Sequence, residues 1–409
     1  MRILIISQYY FPEPVEKIHD LACGLVRLGH EVQVITGFPC YPKGEIYPPY
    51  RQKPYFVEEL DGVRITRVPQ IPDHSRSPAR RMLYYLSFAL SAAIAALTGF
   101  RNADVVLVYQ AALPVGLSGC LMRHVRGLPL VLDVVDLWPE SVVATGMLTN
   151  LFAVKMIRRI AKFIYMTADH INVVTAGYKT CLLDMGIPRE KIGVIHNWMP
   201  MSTYHVVTPS PELAEKEGMA GRFNIVYAGT MGPVQGLQSV LDAANLLKDV
   251  PKVQFVMIGD GLEYEGLMKR SKEQNIRNVL FLGRRLPEEM PNYYAIADIL
   301  LVHLKPDPLS DISIPSKTFA YMASGRPVLM AVRGDSQEFM KTADFGLAIE
   351  PSNPKEMADA VRWFYELPNE ERIRMGQVAL SIYSEKFCSE VQISKFEGVL
   401  AATCKTESR

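Results

Sequence analysis

The chain has no Asp-x-Asp triplet, no Cys-x-x-Cys pair, no short internal repeat, no low-complexity tract and almost no net charge. Each absence excludes something. Without Asp-x-Asp, the simplest carboxylate pair for bridging a divalent cation to phosphate is missing, and no metal or other cofactor is expected. The six cysteines, at 23, 40, 120, 181, 388 and 404, are too scattered to indicate a disulfide framework or a zinc site, so a reducing cytoplasm fits best. Forty-four Lys and Arg against 43 Asp and Glu leave a net charge of +1, and no nucleic-acid-binding motif occurs, so nucleic acid is not an expected partner. The start, Met1-Arg2-Ile3-Leu4-Ile5-Ile6-Ser7, has an apolar run too short for a secretory signal and reads as a first buried strand.

What is present is a large, apolar, alternating chain. At 409 residues it exceeds the size at which one core keeps growing, so two domains are expected; 49% hydrophobic and 21% charged residues suit large buried sheets. Apolar runs predict strands at 2–6, 31–36, 104–109, 129–134, 171–175 and 192–196, with helices near 14–28, 76–100, 112–126, 151–167 and 176–185. The alternation resumes with strands near 223–228, 253–258, 279–282, 299–303 and 328–332 and helices near 235–248, 262–274, 287–296, 315–324 and 354–366. This organisation predicts a first domain over 1–200, a Pro- and Ser-containing linker over 201–222, a second domain over 223–385 and a C-terminal helical segment, 386–409, packing back on the first domain. Charge divides with the halves. Residues 1–205 carry 21 Lys and Arg against 16 Asp and Glu, and residues 206–409 carry 23 against 27.

Two segments carry phosphate chemistry. In Ile314-Pro315-Ser316-Lys317-Thr318, a proline suited to a helix start, a hydroxyl and a cation head a short helix that Gly325 and Pro327 stop before the apolar Val328–Val332. In Ile225–Gly236, a strand runs into Gly229-Thr230-Met231-Gly232, glycines that let backbone approach a ligand, and then into a helix. An ordinary capped helix explains the first segment alone equally well, and Gly-x-x-Gly is weak alone. Their recurrence in one half of the chain is what points to a phosphate-bearing ligand.

Together with Ser7–Glu13, Gly29-His30-Glu31-Val32, Asp133-Val134-Val135-Asp136-Leu137-Trp138-Pro139-Glu140-Ser141 and Val194-Ile195-His196-Asn197-Trp198, these segments resemble the retaining, family 4 glycosyltransferases of the GT-B fold. The similarity covers nearly the whole chain and is nearest to the bacterial surface-polysaccharide branch that includes L-fucosamine transferases. The resemblance implies an α/β architecture of two Rossmann-like doubly wound domains facing a cleft. It also implies transfer of a sugar, by this branch an N-acetylated amino sugar, from a uridine diphosphate donor with retention at the anomeric carbon. The acceptor it implies is an undecaprenyl-diphosphate-linked saccharide.

For the donor, the resemblance assigns Gly229, Thr230, Gln235, Gly236, Arg284, Arg285, Ser316 and Lys317, with Lys317 and turn N–H groups stabilising the departing diphosphate in place of a metal. Two acidic positions of the commoner family pattern hold Ala320 and Ile312 here, and the usual Arg and Lys of the glycine turn are Thr230 and Gln235. Asp311 or Glu288 then remains for the ribose. The missing carboxylates also support a rival reading, a catalytically silent nucleotide-sugar-binding partner subunit. On the acceptor side, Asp136 is the first candidate to contact the transferred sugar or the acceptor hydroxyl, with Asp133 and Glu140 beside it; Asp136 as a cap for the following helix is the alternative. Tyr10 and Glu13 fall on the same side.

Residues 82–100 form a 19-residue run without charge, flanked by Arg76, Arg80, Arg81 and Arg101. Its tyrosines and serines and the core strand that follows favour a buried or surface-docked helix over a span. Lys155, Arg158, Arg159 and Lys162 lie among apolar residues on another helix. With Arg80 and Arg81 they predict electrostatic docking of a cytoplasmic, peripheral protein on the anionic inner face of the plasma membrane; a solvated basic helix is the plainer alternative.

Overall fold

A computed structural model of the chain describes every residue except Arg76, Arg101, Thr145, Met147, Thr149, Thr342, Ala343 and 407–409. Arg76 and Arg101, two of the cations expected to flank the long apolar helix, therefore lie outside the described residues. The chain divides into two units, Met1–His196 with Ser389–Arg409, and Asn197–Cys388.

The first unit is an eight-stranded sheet between helices. Its strands are β1 (Arg2–Ser7), β2 (Glu31–Gly37), β3 (Phe56–Leu60), β4 (Val63–Val68), β5 (Val105–Gln110), β6 (Leu130–Val134), β7 (His170–Val173) and β8 (Ile192–Val194), in the order β3-β4-β2-β1-β5-β6-β7-β8. All pairings are parallel except β3 with β4. The helices are α1 (Glu16–Arg27), α2 (Pro78–Gly99), α3 (Val115–Arg126), α4 (Glu140–Ala144), α5 (Leu151–Thr167) and α6 (Ala176–Asp184). Helices on both faces are why central strands read as unbroken apolar runs: all six residues of β5 are buried. Helix α2 starts at Pro78, with the Ser77 hydroxyl accepting from Arg80 N–H, and buries Tyr84, Tyr85, Phe88, Ala92 and Ala96, against α3 among other elements, which makes it a layer of this unit.

The β3–β4 hairpin is absent from the sequence-based expectation. Its turn, Asp61 at φ 52° and Gly62 at φ 76°, is the left-handed pair that an Asp-Gly step between alternating strands favours. That signal was present and unread because charged residues break up both flanking strands.

The second unit contains α7 (Pro211–Lys216), β9 (Phe223–Ala228), α8 (Gln238–Leu246), β10 (Val253–Ile258), α9 (Tyr264–Glu273), β11 (Val279–Gly283), α10 (Met290–Ala295), β12 (Ile299–His303), α11 (Pro308–Asp311), α12 (Lys317–Ala323), β13 (Val328–Ala331), α13 (Gly334–Lys341), β14 (Gly346–Ile349), α14 (Pro354–Glu366) and α15 (Asn369–Lys386). Its sheet is wholly parallel in the order β11-β10-β9-β12-β13-β14, the doubly wound arrangement with its topological switch between β9 and β12. The segment expected to be a linker, 201–222, is instead part of this unit and contains α7: the Ser210 hydroxyl accepts from Leu213 N–H at 3.2 Å and Pro211 occupies the first turn. Ser-Pro was read as linker composition when it is also a helix start. The last helix, α16 (Ser389–Thr406), belongs to the first unit and packs on α1.

Candidate active site

In a doubly wound sheet the ligand crevice opens at the carboxyl ends of the strands beside the switch point. In the second unit those ends are Ala228 and His303. The chain leaves β9 through Gly229 at φ +136°, whose N–H donates to Ile258 O at 2.9 Å. Gly259, at φ +135°, packs so closely there that a methyl group on it would lie 2.0 Å from Gly229 O. Only glycine fits such crossing backbones. The Tyr321 hydroxyl accepts from Ala228 N–H at 2.9 Å and donates to Ala228 O at 3.2 Å. One turn earlier on α12, Lys317 is thereby delivered to the glycine turn, its Nζ 3.7 Å from the centroid of the Tyr227 ring. The Lys317 stem is partly open to solvent, but Nζ itself is enclosed and makes no hydrogen bond within the protein. Enclosure without an anionic partner disfavours the ammonium form and lowers this lysine to about 7.

His303 supports the same turn. Its Nδ1–H donates to Gln235 O at 2.6 Å, and Nε2 accepts from Ser352 N–H at 3.3 Å and lies 2.9 Å from the Ser239 hydroxyl. Burial, and next to it the Lys317 charge against the opposing Gln235 hydrogen bond, lower this imidazole to about 4, so it is neutral near pH 7. Gln235 also turns its side-chain oxygen back to Gly232 N–H at 3.0 Å, and Gly236 packs on the His303 ring. These contacts make Gln235 and Gly236 supports of the turn. Thr230 and Ser316 are exposed, and Ser316 makes no cap hydrogen bond. Arg284 is exposed too. Arg285 is committed elsewhere, to the Tyr293 hydroxyl at 2.6 Å and Glu217 at 3.2 Å, lining a pocket of about 460 Å³ with Lys216 and Asn292.

In the first unit the switch point lies between β1 and β5, and the expected acidic residues separate into different environments. Asp133, at the end of β6, is wholly buried and accepts from Lys17 Nζ at 2.9 Å. Burial raises its carboxyl and Lys17 pulls it back, so Asp133 fastens α1 to the sheet and does not face a substrate. Glu140 pairs with Arg158 at 2.7 Å. Glu13 is buried and accepts three backbone N–H groups, from Tyr10 at 3.1 Å, Cys40 at 2.8 Å and Tyr41 at 2.7 Å, clamping the loops after β1 and β2 together. Tyr10 is buried with its hydroxyl 3.0 Å from His19 Nδ1. Asp133, expected beside Asp136 as a catalytic candidate, and Tyr10 and Glu13, expected on the acceptor side, are thus interior side chains whose contacts position elements and loops.

Asp136 is the most exposed of the acidic set, although the protein around it raises its carboxyl to about 6 against the pull of Arg81. Arg81 donates to the Tyr85 hydroxyl at 2.9 Å. An aromatic wall adjoins them: Tyr9 and Tyr41 with ring centres 5.0 Å apart, Tyr84 and Tyr85 at 5.5 Å, and Tyr85 edge-on to Trp138 at 5.9 Å. Tyr9, Tyr84, Tyr85 and Trp138 are buried and Tyr41 is the partly exposed ring, so the cluster backs this corner of the unit and offers a ligand the Tyr41 ring beside the Asp136 carboxylate. Sequence reasoning missed Tyr227, Tyr321 and His303, although the four-residue step from Lys317 to Tyr321 was a readable signal. It missed the aromatic wall because its members come from four separate segments.

Exposed Arg80 begins α2, and exposed Lys155, Arg159 and Lys162 share α5 with Arg158. The helices between and around them carry exposed apolar stripes: Leu83, Leu86, Leu90 and Ile94 on α2, Leu121 and Val125 on α3, and Phe152, Met156, Ile160 and Phe163 on α5. Helix α3 touches both neighbours, and His124 stacks on Phe163 at 6.2 Å.

Residues 14–198 match the family described as glycosyl transferase 4-like domain, and residues 222–366 match glycosyl transferases group 1. The chain is 26% identical over 302 residues to the probable glycosyltransferase WbjE of Pseudomonas aeruginosa, covering 72% of this chain and 74% of that protein. It is 23% identical over 389 residues to the putative colanic acid biosynthesis glycosyl transferase WcaI of Escherichia coli, covering 91% and 94%. Among solved structures, Anabaena Alr3699/HepE in complex with UDP and glucose shares the fold with a TM-score of 0.72 at 17% identity, covering 98% of this chain and 99% of that one. Each of the two units thus carries its own family match, and the chain is a glycosyltransferase of the GT-B fold.

Proposed function

We propose that this enzyme transfers a sugar, an N-acetylated amino sugar by its nearest resemblance, from a UDP-sugar to a lipid-linked saccharide during bacterial surface-polysaccharide synthesis. Transfer retains the anomeric configuration and needs no metal. The observation that carries the reading is the enclosed Lys317 nitrogen without a hydrogen-bond partner at a glycine turn. An anion placed there completes its coordination, and a diphosphate leaving group develops the charge that such a cation stabilises. The colanic acid biosynthesis named for WcaI supports a polysaccharide product, and the UDP held by the HepE fold neighbour supports the nucleotide.

Asp136 and Arg81 are proposed to hold the acceptor saccharide against the partly exposed Tyr41 ring. The exposed stripes on α2, α3 and α5, bordered by Arg80, Lys155, Arg159 and Lys162, support residence on the inner membrane face, where a lipid-linked acceptor is found. Insertion of apolar side chains adds to the electrostatic attraction expected from sequence. Titration of the protein with UDP in the presence of a chelator tests the donor site. Lys317→Ala is expected to raise the dissociation constant about ten- to a hundredfold, the value of a charge-assisted contact of about 1.5–3 kcal/mol. Unchanged affinity, or binding that vanishes with the chelator, sinks the assignment.

A further inference from the structure

Helix α1 and the β3–β4 turn bring three side chains of metal-ligating type together, with one donor atom from each of His19, Cys23 and Asp61 within 4.8 Å of the others. His19 and Cys23 are four residues apart on one face of α1, and Asp61 opens the left-handed turn. His19 Nε2 lies 3.1 Å from Asp61 Oδ2 and 3.6 Å from Cys23 Sγ, which also stands 3.8 Å from Nδ1 and so over the ring face. Around a tetrahedral zinc ion, with metal–sulfur bonds of about 2.3 Å and metal–nitrogen or –oxygen bonds of about 2.0–2.1 Å, adjacent nitrogen and sulfur donors stand about 3.6 Å apart and nitrogen and oxygen donors about 3.4 Å. The nitrogen–sulfur separation is within that range, so ligation needs a rotation of the Cys23 side chain off the ring face, and the nitrogen–oxygen one is slightly shorter because the two groups hydrogen-bond.

The rest of the His19 ring is held as a metal ligand's would be. Its Nδ1 lies 3.0 Å from the Tyr10 hydroxyl, Tyr10 meets it edge-on at 5.3 Å, and Phe11 covers it at 5.4 Å. With Nε2 facing an ion, Nδ1 carries the proton and donates to the Tyr10 oxygen, the outer contact that orients ligating histidines. Cys23 is buried and Asp61 exposed, so the carboxylate side is the way in. None of the three belongs to the Gly229–Lys317 turn, and the site stands independently of the transfer reaction proposed above.

We propose that His19, Cys23 and Asp61 bind a borderline divalent transition ion of the zinc class, with water as fourth ligand, joining α1 to the β3–β4 turn. One thiolate, one imidazole and one carboxylate suit zinc or cobalt, whereas calcium and magnesium take oxygen donors. As the sulfur–metal bond forms, the thiol proton leaves for solvent. Because the thiol must lose its proton to ligate, affinity rises with pH. The cysteine spacing gave no hint of the site because it uses one cysteine.

Titrating the chelator-stripped full chain with cobalt(II) at neutral pH tests the proposal. One equivalent is expected to bind with a thiolate-to-cobalt charge-transfer band, and zinc is expected to displace it. Cys23→Ser is expected to remove the band. Asp61→Asn, an exposed change to a residue that also tolerates positive φ, is expected to weaken binding about tenfold or more. No band in the wild type, an unchanged band in Cys23→Ser, or unchanged affinity in Asp61→Asn overturns the site.

Discussion

An amine enclosed by protein without a hydrogen-bond partner is costly, and at Lys317 the cost is tied to protonation. Because the folded protein lowers this lysine to about 7 from an ordinary 10.5, the group opposes folding below about pH 7, and that opposition fades as pH rises toward 10.5. A bound diphosphate reverses the bias by favouring the ammonium. UDP affinity is therefore expected to hold steady just below pH 7 and to fall by up to about tenfold per unit above it, since the phosphate is itself ionised by then. Calorimetric titrations from pH 6 to 9 check this; Lys317→Arg, with a guanidinium that stays charged, is expected to lose the alkaline fall. His303 acts with the same sign in a lower pH window. Its folded value near 4 lies below the unfolded 6.5, so it contributes stability fully present above pH 6.5 and lost as pH falls toward 4, about 3 kcal/mol in all. Denaturant unfolding of wild type and His303→Gln is expected to show their stability gap shrinking over that window; a gap independent of pH refutes a neutral, buried imidazole.

Among the elements, the C-terminal helix α16 shows how packing decides what propensity leaves open. Ile393 is buried against Gly24 of α1, so close that a methyl group on Gly24 would lie 2.4 Å from the Ile393 Cδ1 atom. Ile393→Ala is expected to cost about 2–5 kcal/mol, the range for truncating a well-packed aliphatic side chain, and thermal melts are expected to report it as a lower Tm. The long strands and helices were legible because buried parallel strands are continuous apolar runs and amphipathic helices repeat at 3.6 residues. The edge elements were less so. β3 sets exposed Val57 beside charged Glu58 and Glu59, and β14 is only the four residues Gly346-Leu347-Ala348-Ile349, so neither makes a long apolar run. Helix α2 was legible as apolar but not as to what covers it: one side is buried in the first unit while Leu90 and Ile94 remain more than half exposed.

For the whole molecule, the excess of positive charge in the first half acquires a counterpart in the apolar stripes of α2, α3 and α5. Anionic liposomes are expected to sediment the protein, and neutral ones to recover much less of it. Arg159 and Lys162 changed to Gln are expected to weaken the attachment by about 1 kcal/mol each at low salt, and Leu86 and Leu90 changed to Ser to weaken it at any salt concentration. Recovery that ignores both pairs of substitutions excludes this surface.

By itself the sequence determined the two α/β units, their order, and the Gly229 and Lys317 turns, because these depend on local periodicity and on residues whose conformational and charge properties act wherever they stand. Which acidic residues face solvent was decided only in three dimensions. Asp133 and Asp136 lie three residues apart in the same motif, yet one is neutralised by Lys17 from a distant helix and the other opens outward. Burial and pairing are properties of what folds against a residue, and partners 116 positions away leave no mark on the local pattern. The same holds for the aromatic wall and for His19, Cys23 and Asp61, which become neighbours only when strands and helices close into a sheet layer.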